Sequence, residues 1–361
     1  SFPAGDPRPD PVITDEQIQK VIDAYDNNIY QKDTDFFGMP DSHTGENAAL
    51  PGIMGWSQDY YKPVDGNERL IILVDNIRDE NYYDSKYPFF VAGFYWGTIE
   101  RYTDRNIITL DTNSWETRLD RDFLPTVAHE FQHLIHADND SGEETWINEG
   151  MADFAQYLCG YGHDWGHVNF YLDHPENSLV SWDEYYDCPT GPETLADYGQ
   201  AYLFQLYLND HFGKEFIRTL AKDTDHGIAS VNKVLSQYNT GIDFNELFRR
   251  FTVALSVDSR NPGNIYNFDS IDVKVDYQGA VDYNKPGVPA WGADYIKLDT
   301  NKNIKNIKFD GIDFLPIPWE TVNDPAGSGI SVLWGNAGDE ADNKLILEAD
   351  LTGKQSATLK F

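Results

Sequence analysis

Two histidines four residues apart, with a glutamate beside the first, stand at His129-Glu130-Phe131-Gln132-His133. In a helix, residues at that spacing share a face, so both imidazoles can reach one ion. The Glu130 carboxylate then lies where it can hold a water that the ion polarises. Glu149 follows sixteen residues after His133, in Trp146-Ile147-Asn148-Glu149-Gly150-Met151-Ala152-Asp153. A catalytic zinc site needs three protein ligands and one open position, and a glutamate from a neighbouring antiparallel helix supplies the third. Asp153, one turn beyond Glu149, faces the same place and is expected to accept a hydrogen bond from the free N–H of a ligating imidazole.

The other histidines fit less well. His136 is ~10 Å along a regular helix from His129, too far for one shared tetrahedral ion. A second helical arrangement, with a glycine three residues after His133 and a histidine six after it, is excluded because those places hold His136 and Asn139. His163 and His167 also have the four-residue spacing, but Gly160, Gly162 and Gly166 around them read as a loop. The acidic clusters Asp138-Asn139-Asp140 and Asp339-Glu340-Asp342 are candidate oxygen ligands for a structural Ca²⁺, and neither matches an EF-hand loop.

The elements that must carry these residues are legible from periodicity. Leu124, Val127, Ala128, Phe131, Leu134 and Ile135 form an apolar face over Asp122–His136, with Pro125 in the first turn. Upstream, Thr14 and Gln17 make a capping box before a helix carrying Ile18, Val21, Ile22, Tyr25 and Ile29, and 31–66 read as loop-rich. Three β-like runs follow at Arg69–Ile77, Phe89–Trp96 and Asn106–Asp111. Helices are predicted at Glu144–Leu158, Ala196–Phe212, Lys214–Ala221, Ile228–Tyr238 and Phe244–Val257, with Gly213 as a cap. Beyond Asn261-Pro262-Gly263, short β-like runs predict a β-sandwich: Ile271–Tyr277, Ala293–Leu298, Ile307–Phe309, Ile330–Trp334 and Lys344–Ala349. The chain stops at Lys360-Phe361, within or just after a strand, and the natural protein is expected to continue beyond it.

The 361 residues carry 22 Tyr, 20 Phe and 9 Trp, enough for a large core, and the length favours two domains. The formal net charge of −33 repels phosphate backbones and anionic headgroups, which argues against nucleic acid and membrane surfaces as partners. No apolar run reaches the ~18 residues of a membrane span. The chain begins at Ser1, which fits a processed or a trimmed chain. The two cysteines, Cys159 and Cys188, are expected to pair in an oxidising compartment.

The combination of VAHEFQHLIH, TWINEGMADF and DYGQAYLFQLYL resembles the gluzincin group of metallopeptidases, and hyicolysin-like peptidases above all. The C-terminal segment from VPAWGADYIKL to SATLKF is similar to the region following the catalytic domain in immune-inhibitor-A-like secreted peptidases. The likeness is specific over Val127–Tyr207 and faint before residue 120. It implies zinc held by His129, His133 and Glu149, with Glu130 as general base and Tyr198 stabilising the oxyanion. A phenol O–H suits that task on physical grounds as well. The expected fold is an α+β zincin-like domain over 1–264, followed by an all-β sandwich over 265–361. Its upper part, 1–138, would carry the HExxH helix, and its helical lower part 139–264. An edge strand within Phe89–Thr98 would pair with an extended substrate. The expected protein is a secreted, monomeric zinc endopeptidase acting on proteins or peptides. Two rivals stand beside it. An aminopeptidase of this group would carry a GxMEN-type segment, which is missing. A silent binding or adhesion protein with structural zinc would have no need of Glu130.

Overall fold

The computed structural model describes residues 2–183, 194–258, 264–276, 288–295, 320–324 and 329–334. The chain divides into two compact units, Ser1–Lys297 and Leu298–Phe361.

The first unit combines a small mixed sheet with many helices. Strands β1 (Ile71–Asp75), β2 (Gly93–Tyr95) and β3 (Ile107–Asp111) lie in the order β1-β3-β2. β1 runs parallel to β3, with Ile71 opposite Ile107, and β2 runs antiparallel to it, with Phe94 opposite Thr109. β3 is buried along its whole length, as befits a central strand. β2 lies at the sheet's edge and is much shorter than the run expected at Phe89–Trp96. Against β2 and β3 packs the helix Leu124–Asn139, called here the His helix. Its Val127, Ala128, Leu134 and Ile135 are fully buried, and Phe131 meets Tyr25 edge-on at 5.0 Å. Pro125 sits in the first turn, and a π-helical turn, Leu119–Phe123, leads into it.

The N-terminal helix starts with the expected capping box of Thr14 and Gln17. It does not stop near Ile29. It passes through a π-helical turn, Tyr25–Ile29, and continues over Tyr30–Phe37, burying Phe36 and Phe37. The expected loop therefore begins later.

Below the His helix lie the Glu helix (Thr145–Leu158), the strut helix (Trp165–Asp173) and the Tyr helix (Thr194–Phe212). Trp146 anchors the Glu helix between Phe204 and Phe244, at 5.7 and 5.9 Å. The strut helix replaces the loop expected around His167. Asp164 caps it, accepting the N–H groups of Gly166 and His167 at 2.8 and 3.1 Å. Lys214–Leu220, Gly227–Gln237 and Phe244–Val257 complete the helical part.

Residues 265–276 and 288–295, expected in the sandwich, pack in the first unit. Ile271, Val273 and Val275 are buried, alternating with exposed neighbours, yet form no strand. Val275 N–H donates to Leu255 O at 3.0 Å, and Trp291 meets Phe244 at 4.7 Å. The alternation thus reflects a strap laid on helices, not a sheet.

In the second unit the described residues form one antiparallel pair, β4 (Glu320–Asn323) with β5 (Ser331–Trp334). The expected runs at Ile307–Phe309 and Lys344–Ala349 lie outside the described residues, and a sandwich is not shown. Cys159 is a buried free thiol that donates to Asp33 Oδ1 at 3.4 Å, and its expected partner Cys188 lies outside the described residues. Among the described residues no helix is long and apolar enough to cross a membrane.

The Tyr helix closes on its neighbours through glycines. A Cβ on Gly150 would stand 2.7 Å from Ala201 O, and one on Gly199 would collide with His167 O and with Tyr171 Cβ. Gly199→Ala is expected to cost about 2–3 kcal/mol through overpacking. Urea unfolding checks this, with Gly52→Ala, where a Cβ meets nothing within 4 Å, leaving the midpoint unlowered.

Candidate metal centre

Three donor atoms converge between the His helix and the Glu helix. His133 Nε2 lies 3.1 Å from His129 Nε2 and 3.1 Å from Glu149 Oε2, and His129 Nε2 lies 3.3 Å from that same oxygen. A tetrahedral zinc with bonds of ~2.0–2.1 Å spaces its ligands about 3.3 Å apart, so the triangle has the size the ion demands.

The far sides of the rings fix what faces inward. His129 Nδ1–H donates to Asp153 Oδ1 at 2.9 Å, and His133 Nδ1–H donates to Asn148 Oδ1. With those protons committed, both neutral rings turn lone pairs towards the Glu149 carboxylate. Lone pairs at such a distance repel unless a proton or cation lies among them. The residues therefore fit a divalent metal.

Asp153 is almost wholly buried and grips two histidines at once. Its Oδ2 accepts from His167 Nδ1 at 2.8 Å, and Gln156 Nε2 donates to Oδ1 at 2.7 Å. Burial alone would raise Asp153, but His167 and His129 outweigh it and bring its pKa down to about 2. Burial likewise opposes charge on Glu149, yet His133 and His129 hold it well below the usual carboxylate range. Burial also opposes charge on His129 and His133. The hydrogen bonds of Asp153 and Glu149 outweigh it at His129, as the Glu149 carboxylate does at His133, and both rise above 6.5.

Glu130 lies in the same cleft, a space of about 310 Å³ whose wall includes Gly93–Tyr95 of the edge strand. Its Oε2 accepts the Tyr95 N–H at 2.8 Å. Burial raises its pKa, although the neighbouring imidazoles pull the other way. Tyr198 enters from the Tyr helix, its ring 6.0 Å from His129, stacked on His167 at 4.6 Å and met edge-on by Trp182 at 4.9 Å. Burial and the carboxylates of Glu149 and Asp153 push its phenol well above 10, so it stays a hydrogen-bond donor.

All six residues singled out from sequence meet here: His129, Glu130, His133, Glu149, Asp153 and Tyr198. The sequence pattern assigns Asn148 no role and places His167 in a loop outside this centre. Asn148 follows from helix geometry once Glu149 is placed, and the Asp164 cap was the available signal for a helix bearing His167. His163 goes elsewhere, pairing with Tyr202 Oη at 2.6 Å, so it shares no ion with His167. The expected Ca²⁺ loop at Asp138-Asn139-Asp140 is split: Asp138 groups with His43 and Glu100, and Asp140 with His136 and Glu143. The Asp339-Glu340-Asp342 cluster lies outside the described residues.

In the metal-free protein both ligand imidazoles hold protons above the ordinary 6.5. Their charge pairing stabilises fully below about 6.5 and is lost as pH rises through the raised values. Metal binding has the opposite sign, because it displaces those protons. The Tm gap between zinc-loaded and chelated protein should therefore widen from about pH 6 to about pH 8. Asp153→Asn should weaken zinc about 10–100-fold in chelator competition at fixed pH.

No known protein-family model matches this chain, and no curated protein is significantly similar to it.

Proposed function

We propose that the protein is a secreted zinc-dependent endopeptidase. The observation that carries this reading is the convergence of two imidazoles and one carboxylate within 3.1–3.3 Å, with Glu130 in the same cleft. His129, His133 and Glu149 would hold the ion. Bound there, zinc would lower the pKa of a water and polarise the scissile carbonyl.

The chain's own groups do the rest. Burial keeps Glu130 a stronger base than a surface glutamate, and the Tyr95 N–H fixes its Oε2. Glu130 takes the proton of the attacking water and later hands it to the leaving amine. Tyr198, its phenol held protonated, donates to the oxygen on which negative charge builds. His167 beneath its ring and Trp182 at its edge hold that phenol over the cleft. The edge strand Gly93–Tyr95 would pair with an extended peptide, a role supported by its three residues lining the same space. The acidic surface suits a substrate delivered as protein or peptide better than a polyanion.

A silent zinc-containing protein accounts for the three ligands but not for a buried glutamate beside them. Casein turnover, abolished by chelator and restored by zinc, supports the peptidase reading, and a zinc-loaded chain without turnover contradicts it. Cleavage of peptides blocked at both ends separates endopeptidase from aminopeptidase. Glu130→Gln should retain zinc while kcat falls about 10²–10⁴-fold. Tyr198→Phe should lower kcat about 10²–10³-fold with little change in KM.

A further inference from the structure

Beyond the first centre, a second cluster occupies the junction where the His helix gives way to the Glu helix. His136, Asp140 and Glu143 offer donor atoms that all lie within 4.8 Å of one another. His136 is 2% exposed, and the Asp140 side chain is 10% exposed.

The two carboxylates share an arrangement. Asp140 Oδ1 accepts the Gly142 N–H at 3.1 Å and meets His226 Nε2 at 3.2 Å. Glu143 Oε1 accepts the N–H groups of Glu144 and Gly227 at 2.7 and 2.8 Å. In each group the other oxygen, Asp140 Oδ2 or Glu143 Oε2, is buried without a hydrogen-bond partner among the described residues. A buried acceptor left so costs free energy of the order of 1–3 kcal/mol, more when charged. Here two occur together beside a buried imidazole. Burial drives the His136 pKa down to about 4, so the ring is neutral and cannot itself offset the carboxylates. Gln132 Nε2, also buried, meets His136 Nδ1 at 3.3 Å, while Gln132 Oε1 is without a hydrogen-bond partner among the described residues; with the amide turned over, that oxygen would accept from Nδ1–H and leave Nε2 bare.

We propose that His136, Asp140 and Glu143 bind a second divalent cation of the zinc class, which pins the loop between the two ligand-bearing helices. One neutral imidazole and two carboxylates carry two negative charges, which such an ion neutralises. The donor set favours zinc over calcium, which takes six to eight oxygens. The ion would tie the end of the His helix to Glu143, one residue before Glu144 and the first turn of the Glu helix. It would thereby fix the spacing of Glu149 from His129 and His133. Glu143 also borders the cleft.

Native mass spectrometry of the purified chain, stripped and reloaded with zinc, tests the proposal, with circular dichroism reporting the fold. The wild-type chain should carry two zinc ions, and His136→Gln and Glu143→Gln one each. His43→Gln, in the neighbouring His43, Glu100 and Asp138 cluster, should still carry two. The double variant His129→Gln/His133→Gln should keep one ion, so loss of the first centre reads separately from loss of this one. A wild-type chain that takes a single zinc which the folded His129→Gln/His133→Gln chain loses, or folded His136→Gln and Glu143→Gln chains that both still take two, overturns the proposal.

Discussion

Two imidazole lone pairs and a carboxylate, brought within little more than 3 Å of each other in a mostly buried place, are an arrangement that a protein keeps only at a cost. Each group would be better solvated apart, and with the Nδ1 protons given to Asp153 and Asn148, only a further proton on Nε2 or a cation can bridge them. The rest of the first unit is the device that holds this arrangement together. The His helix is clamped between the sheet and the N-terminal helix. The Glu helix is clamped by Trp146 among Phe204 and Phe244, so neither can retreat.

Asp153 is where packing and chemistry join. One carboxylate orients His129 and His167, and His167 in turn carries the Tyr198 ring on its face. Ligand geometry and oxyanion donor are thus set by one buried acid, through two hydrogen bonds and a stack. The glycines at the helix crossings allow this by letting backbones approach where side chains would hold them apart.

Much of this arrangement could be read from the residues in order. The HExxH helix and the Glu helix announce themselves because an apolar stripe at helical spacing marks one buried face of a helix. Glu149 and Asp153 follow once two helices face one ion. Other features had no such signal. Gly160, Gly162 and Gly166 hid the strut helix, whose start depends on the single side chain of Asp164. The helix through Tyr25–Phe37 ran on past the polar Asn27, Asn28, Gln31 and Lys32, because buried Ile29, Phe36 and Phe37 outweigh weak local propensity. Ile271, Val273 and Val275 alternate like a strand, yet alternation reports only that one side is buried. It does not say whether a sheet or a bed of helices lies beneath. That ambiguity is why the run is expected in the sandwich, whereas it packs in the first unit, Ser1–Lys297.

The most direct test of the central claim is where a zinc ion sits. Crystals of the zinc-loaded protein, measured above and below the zinc absorption edge, should give an anomalous peak enclosed by His129 Nε2, His133 Nε2 and Glu149 Oε2. An anomalous map with no peak among those atoms, or with the Glu149 carboxylate turned out of the site beside a bound ion, would contradict the account.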